Sequence, residues 1–295
     1  QHNKVSHIAS INRIEEDRFV WMDHFTIRNL EVLQSTGVNG VSLLNILDQT
    51  VSPMGARMLR RWLVLPLKEQ KPIQDRLNIV DYFTHHGDVA DELALQIKQM
   101  GDLERLISKV ATARICPREV VQLKRALNAI LPVVEFCSKS GNKSLETLAS
   151  QLDPCDPIRE KIAKELQDDA PVQLIKGNVI APGVSQELDE LRDISTSAKD
   201  YLEQIRVRES EASGIPSLKI AFNNVFGYYL EVRNSHKDKV PEEWIRKQTL
   251  VNAERYITEE LKELEVKILS ANDKILALEQ TLFNEVVVSL MDYVQ

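Results

Sequence analysis

Two long stripes of apolar residues dominate the second half of the chain. In the first, Val184, Leu188, Leu191, Ala198, Leu202 and Ile205 recur in helical steps, with Ser195 as the one polar break. The spacing predicts a helix from about Val184 to about Ser210. In the second, Ile257, Leu261, Leu264, Ile268, Ala271, Ile275, Leu278, Leu282 and Val286 alternate in fours and threes. That ladder predicts the longest element of the chain, from about Thr249 to Tyr293. At ~1.5 Å per residue it makes a rod of roughly 60 Å. A rod of that length cannot bury its stripe alone. The two stripes match, and the simplest arrangement is an antiparallel helix pair.

Between the stripes the period changes from 3.6 to 2. Leu218, Ile220 and Phe222 alternate with Lys219 and Ala221, and Tyr228, Leu230 and Val232 alternate with Tyr229, Glu231 and Arg233. Asn223 and Asn224 tolerate turn dihedrals, and Gly227 allows a bulge or a close backbone approach. A β-hairpin follows, with Phe222, Phe226, Tyr228 and Tyr229 expected to build a small sheet core at the end of the helical arm. Two strands alone are marginal in water. The 172–180 segment and the edge around Val240 are candidates for a third, and the pattern does not choose between them.

The first half of the chain reads as a bundle of medium helices. Residues 1–22 read as a linker or the end of a preceding element. Ser52 is a candidate N-cap with Pro53 at the first helical position, and Pro66 ends that helix. Further helices are expected from Pro72, over "GDLERLISKVATARI", as one element over "CPREVVQLKRALNAILPVVEFCSKS", and over "IREKIAKELQ". Residues 140–144 form a loop and 153–157 a turn. The fold class is therefore mainly α: a helical bundle with a long antiparallel helical arm carrying a small β-containing tip.

Composition agrees. Of 295 residues 43% are hydrophobic, whereas Gly and Pro number only 10 and 11, which disfavours an all-β or a disordered chain. Three cysteines, Cys116, Cys137 and Cys155, form no paired motif, which fits a reducing, cytoplasmic location. No stretch reaches the ~18 apolar residues of a membrane span. The first residues carry no apolar leader block, and with no initiator Met the chain is expected to begin inside a longer protein.

Catalytic chemistry finds no support. "SGNKS" fails as a phosphate loop, with Phe136 where the first Gly belongs and Asn142 where Lys belongs. His85, His86 and Asp88 read as a solvated helix end, so no metal site is assigned. Phe283-Asn284-Glu285 reads as ordinary helical positions.

Charge is more informative. The net charge is -7, so nucleic-acid contact would need a local patch. Residues 233–247 supply one: Arg233, Lys237, Lys239, Arg246 and Lys247 against Asp238, Glu242 and Glu243. Asn234 and Ser235 add neutral donors of the type that hold phosphate oxygens. These seven polar residues are the candidate contacts to a DNA backbone. The residues also permit a second reading, a helical scaffold whose arm docks a protein partner through its β tip.

Three stretches resemble one family. "RNLEVLQSTGVNGVSLLNILDQTVSPMGARMLRRWLVLPL" (28–67) is similar to the opening of the core, or lever, domain of MutS-family DNA mismatch-repair proteins. "GVSQELDELRDISTSAKDYLEQIRVRE" (183–209) resembles the helix that enters their clamp domain. "LKIAFNNVFGYYLEV" (218–232) with "WIRKQTLVNAERYITEELKELEVKIL" (244–269) resembles the clamp and its return. The resemblance implies a first lever part at 23–182, a clamp at 183–256, and a returning lever helix at 257–295 that stops before an ATPase domain. It implies hinge positions at Gly177, Pro182 and Gly183. It also implies a parent that uses ATP and Mg, forms a homodimer, encloses mismatch-containing duplex DNA and engages a MutL-type partner. The fragment itself is expected to have no cofactor and no enzymatic activity. The family's mismatch-reading Phe-x-Glu wedge precedes the lever, so Phe283-Asn284-Glu285 is not that wedge.

Overall fold

The computed structural model describes residues 16–223 and 225–293. It is mainly helical with one small antiparallel sheet, and it divides into two compact units: residues through Val172 with those from Glu285 on, and Gln173–Asn284.

In the first unit short helices follow one another: α1 (His24–Asn29), α2 (Leu43–Leu47), α3 (Pro53–Val64), α4 (Gln70–His85), α5 (Gly87–Met100) and α6 (Leu103–Ala111). Ser52 caps α3, its hydroxyl accepting the Gly55 N–H at 3.1 Å, and the helix stops before Pro66. The expected single helix over residues 116–140 is two: α7 (Pro117–Asn128) and α8 (Ile130–Lys139). The cause is Pro132. It has no N–H to give the Asn128 carbonyl, and its ring crowds that turn. α9 (Lys143–Ala149) begins at the 140–144 loop, where the Asn142 side chain caps the Ser144 and Leu145 amides at 3.0 and 3.2 Å. α10 (Asp156–Glu165) packs on α7. The core of this unit is Val110, Val120, Ala126 and Ile162, all nearly or fully buried. A satellite of Cys137, Leu145 and Ala149 is covered by Tyr82, Phe83 and Phe136.

The second unit opens with a 3-10 turn, Leu174–Lys176, so the 172–180 segment adds no strand to the sheet. α11 (Gln186–Ser213) is capped by Ser185 and ends at Gly214 in the left-handed region. β1 (Lys219–Asn223) and β2 (Gly227–Arg233) form the expected hairpin, with Phe222 opposite Tyr228. Its partners come from residues 245–257: β3 (Ile245–Thr249) and β4 (Ala253–Ile257), in the order β1-β2-β4-β3. α12 (Glu259–Met291) therefore begins ten residues later than the apolar ladder predicts. The Leu250–Asn252 turn and pairing of β4 with β2 override the helical propensity of Ala253, Glu254 and Arg255, and the Thr258 hydroxyl caps the helix at the Leu261 amide, 3.2 Å.

The two long helices are antiparallel. As numbers rise along α11, their partners on α12 fall: Arg192 with Glu279 (2.6 Å), Ser195 with Asn272 (3.0 Å), and Arg208 with Glu260. Ser195, the polar break in the stripe, is thus a buried inter-helix hydrogen bond that sets register. Glu260 holds the Arg208 guanidinium firmly in its charged form, with help from Glu209, and Arg208 draws the Glu260 carboxyl below its usual range.

The helix-facing side of the sheet carries Leu230, Val232 and Tyr256, which join Trp244 and the α11–α12 residues Leu202, Ile205, Leu261 and Ile268 in one core. The aromatics of that core are mainly Trp244 and Tyr256, their rings 6.1 Å apart. Of the aromatics expected there, Tyr228 packs against it. Phe222 remains 44% exposed, and Tyr229 is buried on the opposite face beneath Arg255, 4.4 Å from its ring.

Burial, then hydrogen bonding to Glu254, pushes the Tyr256 hydroxyl up to about 12. The neutral phenol is favoured in the folded state, so its contribution is complete below the unfolded pKa of about 10. That contribution disappears as pH rises from about 10 to 12. Thermal melts across this range should show a loss of roughly 2 kcal/mol beyond that of a Tyr256→Phe variant.

Candidate nucleic-acid interface

The expected contact residues lie on two neighbouring stretches of the second unit. Arg233 ends β2 opposite Ala253, and Asn234–Lys239 turn as a short 3-10 helix directly after it. This segment is pinned to the β3–β4 turn. Asn234 donates its backbone N–H to the Asn252 carbonyl at 3.1 Å and a side-chain N–H to the Val251 carbonyl at 2.9 Å. One of its amide protons is therefore already committed. Arg233, Ser235, Lys237 and Lys239 are exposed around that anchor.

Lys239 has a local task as well. Its Nζ donates to the Gly214 carbonyl at 3.1 Å, closing the C-terminal end of α11. Arg246 and Lys247 come from β3, an edge strand. Arg246 lies opposite Tyr256 on the helix-facing side and reaches Glu254 at 3.5 Å. Lys247 is the extra residue of a β-bulge between Arg246 and Gln248, and it is exposed. Arg246 and Arg233 thus leave opposite faces of the sheet. Of the five candidate cations, Arg233, Lys237 and Lys247 make no ion pair or hydrogen bond through their side chains among the described residues, which leaves them free to meet a phosphate.

The outer face adds residues that the charge count did not single out. Lys219 of β1 stands opposite Glu231, and Glu231 stands opposite Arg255 of β4. Arg255 is fully engaged: its Nε meets Glu231 at 3.3 Å, its Nη1 meets the Gln248 amide oxygen at 2.8 Å, and it covers Tyr229. Lys219 is exposed. Its place on the polar side of the period-two pattern was the available signal.

The hairpin turn is built by Asn223, whose Oδ1 accepts the Val225 and Phe226 amides at 3.0 and 2.7 Å. Asn224 lies outside the described residues. Phe226 is half-buried, and Phe222 and Tyr228 make a tilted ring pair 5.0 Å apart. Gly227 has φ 74°, and a Cβ there would run into the Glu265 carboxylate, which accepts the Tyr228 amide at 3.3 Å. Both the dihedral and the approach require glycine.

The expected hinge positions precede α11. Gly177 and Gly183 have φ 67° and 80°, Pro182 is exposed, and the Gly183 amide donates to Asp189 Oδ2 at 2.7 Å. In the first unit, His85 and His86 turn their Nδ1 atoms onto the Asp81 and Tyr82 carbonyls, both at 2.8 Å. Phe283 is buried on α12. Among the described residues no group of three or more His, Cys, Asp or Glu side chains is placed to hold a metal, and no helix is long and apolar enough to cross a membrane.

The family described as MutS domain III matches residues 25–295. A protein of Parabacteroides distasonis named DNA mismatch repair protein MutS is 59% identical over 294 residues, covering 100% of this chain and 34% of that protein. Proteins of the same name from Bacteroides thetaiotaomicron and Flavobacterium psychrophilum are each 58% identical, again across 100% of this chain and 34% of theirs. The chain spans about a third of the length of these relatives.

Proposed function

The chain belongs to the MutS family, as its domain III, and from that premise we propose that it is the lever and clamp portion of a DNA mismatch-repair protein. Its sheet-bearing tip lies along the duplex backbone, without reading sequence, and its paired helices carry motion between that tip and the rest of the parent. The relatives' names support the DNA partner. The observation that carries the tip assignment is the set of unengaged cations exposed on the sheet and the 3-10 turn that follows it, Arg233, Lys237 and Lys247, in a chain whose net charge is -7. In an acidic protein, free cations of this kind are suited to phosphate, which positions a duplex without specifying bases.

The remaining expectations concern the parent. It hydrolyses ATP with Mg in a domain separate from this chain, acts as a homodimer in the cytoplasm, and engages a MutL-type partner. The chain described here contributes no catalytic residue to that reaction.

The test is charge reversal where a cation is free. Lys237→Glu with Lys247→Glu in the full-length parent should weaken duplex binding about tenfold or more at 0.1 M salt. The slope of log affinity against log salt should fall by roughly 2, because each lost phosphate contact removes about 0.9. Binding measured by fluorescence anisotropy that keeps its affinity and slope would place the DNA surface elsewhere. An unchanged duplex affinity together with loss of a protein partner would favour the scaffold reading.

A further inference from the structure

Glu279 is buried on α12 where that helix faces the first turns of α11, the one charged residue with no exposure among the described residues. Its Oε1 accepts the Val179 N–H at 3.2 Å and Arg192 Nη2 at 2.6 Å. Arg192 Nη2 also donates to the Ile180 carbonyl at 2.7 Å, and its Nη1 faces Asp189 at 3.4 Å. Asp189 in turn accepts the Gly183 amide. One chain of hydrogen bonds therefore joins α12, α11 and both ends of the 179–183 backbone. The other Glu279 oxygen has no donor and faces the turn, 3.6 Å from where a side chain at Gly177 would begin. In that turn two successive residues, Gly177 and Asn178, have positive φ of 67° and 58°.

A buried carboxylate with one orphaned oxygen is a poor device for stability, since an apolar residue of similar size often serves as well. Gly177 takes its positive φ freely, whereas Asn178, which carries a side chain, holds this less favoured conformation beside the cluster. Both features make sense if this cluster fixes geometry. We infer that Glu279 and Arg192 are positioning residues that clasp the 177–183 crossover to both arm helices, so that crossover, α11 and α12 turn as one body. This deepens the lever-and-clamp reading and rests on it: the motion passes through the crossover as rigid displacement, and bending at Gly177 is suppressed.

Two variants test the clasp. Glu279→Leu removes every acceptor, and Glu279→Gln keeps the shape and one acceptor while removing the charge. Amide hydrogen exchange is read on this chain in two segments, 174–184 and the sheet segment 228–233. The clasp requires exchange in 174–184 to rise at least tenfold in Glu279→Leu and by a smaller factor in Glu279→Gln, with 228–233 unchanged. Unchanged exchange in 174–184 overturns it, and so does a parallel rise in the sheet, which would mark a general loss of stability. In the full-length parent, Glu279→Gln should keep its nucleotide-free duplex affinity and lose at least fivefold of the nucleotide-dependent change. Loosened exchange with full nucleotide dependence overturns the positioning role. Failure of the lever-and-clamp reading itself would show separately, as a Lys237→Glu, Lys247→Glu parent that keeps the duplex affinity and salt slope of the unaltered protein.

Discussion

Trp244→Ala should cost about 3–5 kcal/mol of stability in the sheet-bearing unit, the range for emptying a buried large aromatic site. Trp244 is 5% exposed and sits among Leu230, Val232, Tyr256, Leu261 and Leu264. It belongs to no strand, so its removal breaks no ladder bond. The loss is a cavity where the sheet meets the two helices. Denaturant unfolding followed by circular dichroism should show the midpoint falling; under the proposed tip contact, duplex affinity of the parent falls with it. A change under about 1 kcal/mol would mean that the neighbours collapse into the space and that the core is looser than its burial implies.

Ile162→Ala should have a comparable effect in the helical unit, about 3 kcal/mol within a range of 2–5. Ile162 is fully buried on α10, which packs on α7. Ile162→Val removes a single methylene and should cost about 1 kcal/mol. The ratio of the two is the informative quantity: calorimetric values close to each other would indicate that the site relaxes, whereas a threefold gap indicates a rigid contact. Against a total stability of about 5–15 kcal/mol, the alanine variant should melt several degrees lower.

The long helices and the hairpin were legible because their signals are local. A stripe of period 3.6 and a run of period 2 can be read residue by residue, and Ser195 stood out as the polar break that became the Asn272 hydrogen bond. The elements that sequence pattern missed depend on distant partners. Residues 253–255 carry good helix formers, and pairing with β2 and β3 makes them part of a strand. Trp244 reads as a loop residue until Tyr256 is folded onto it. The divided helix at Ala129 was within reach, since Pro132 marks it. The candidate interface shows the same division. The basic patch is visible in composition, but its free members are not. Lys239 is partly occupied by a carbonyl twenty-five residues away in sequence, and Arg246 by Glu254 on the facing strand. Competition of that kind is written in tertiary structure alone.

The bulge at Lys247 has one more effect. β3 is an outer strand, and an outer strand with regular spacing invites a further strand to zip onto it. The inserted residue disrupts that spacing and puts a positive charge at the fault. An exposed margin interrupted in this way offers no regular ladder to a stray chain, so the sheet ends at four strands instead of growing by adhesion.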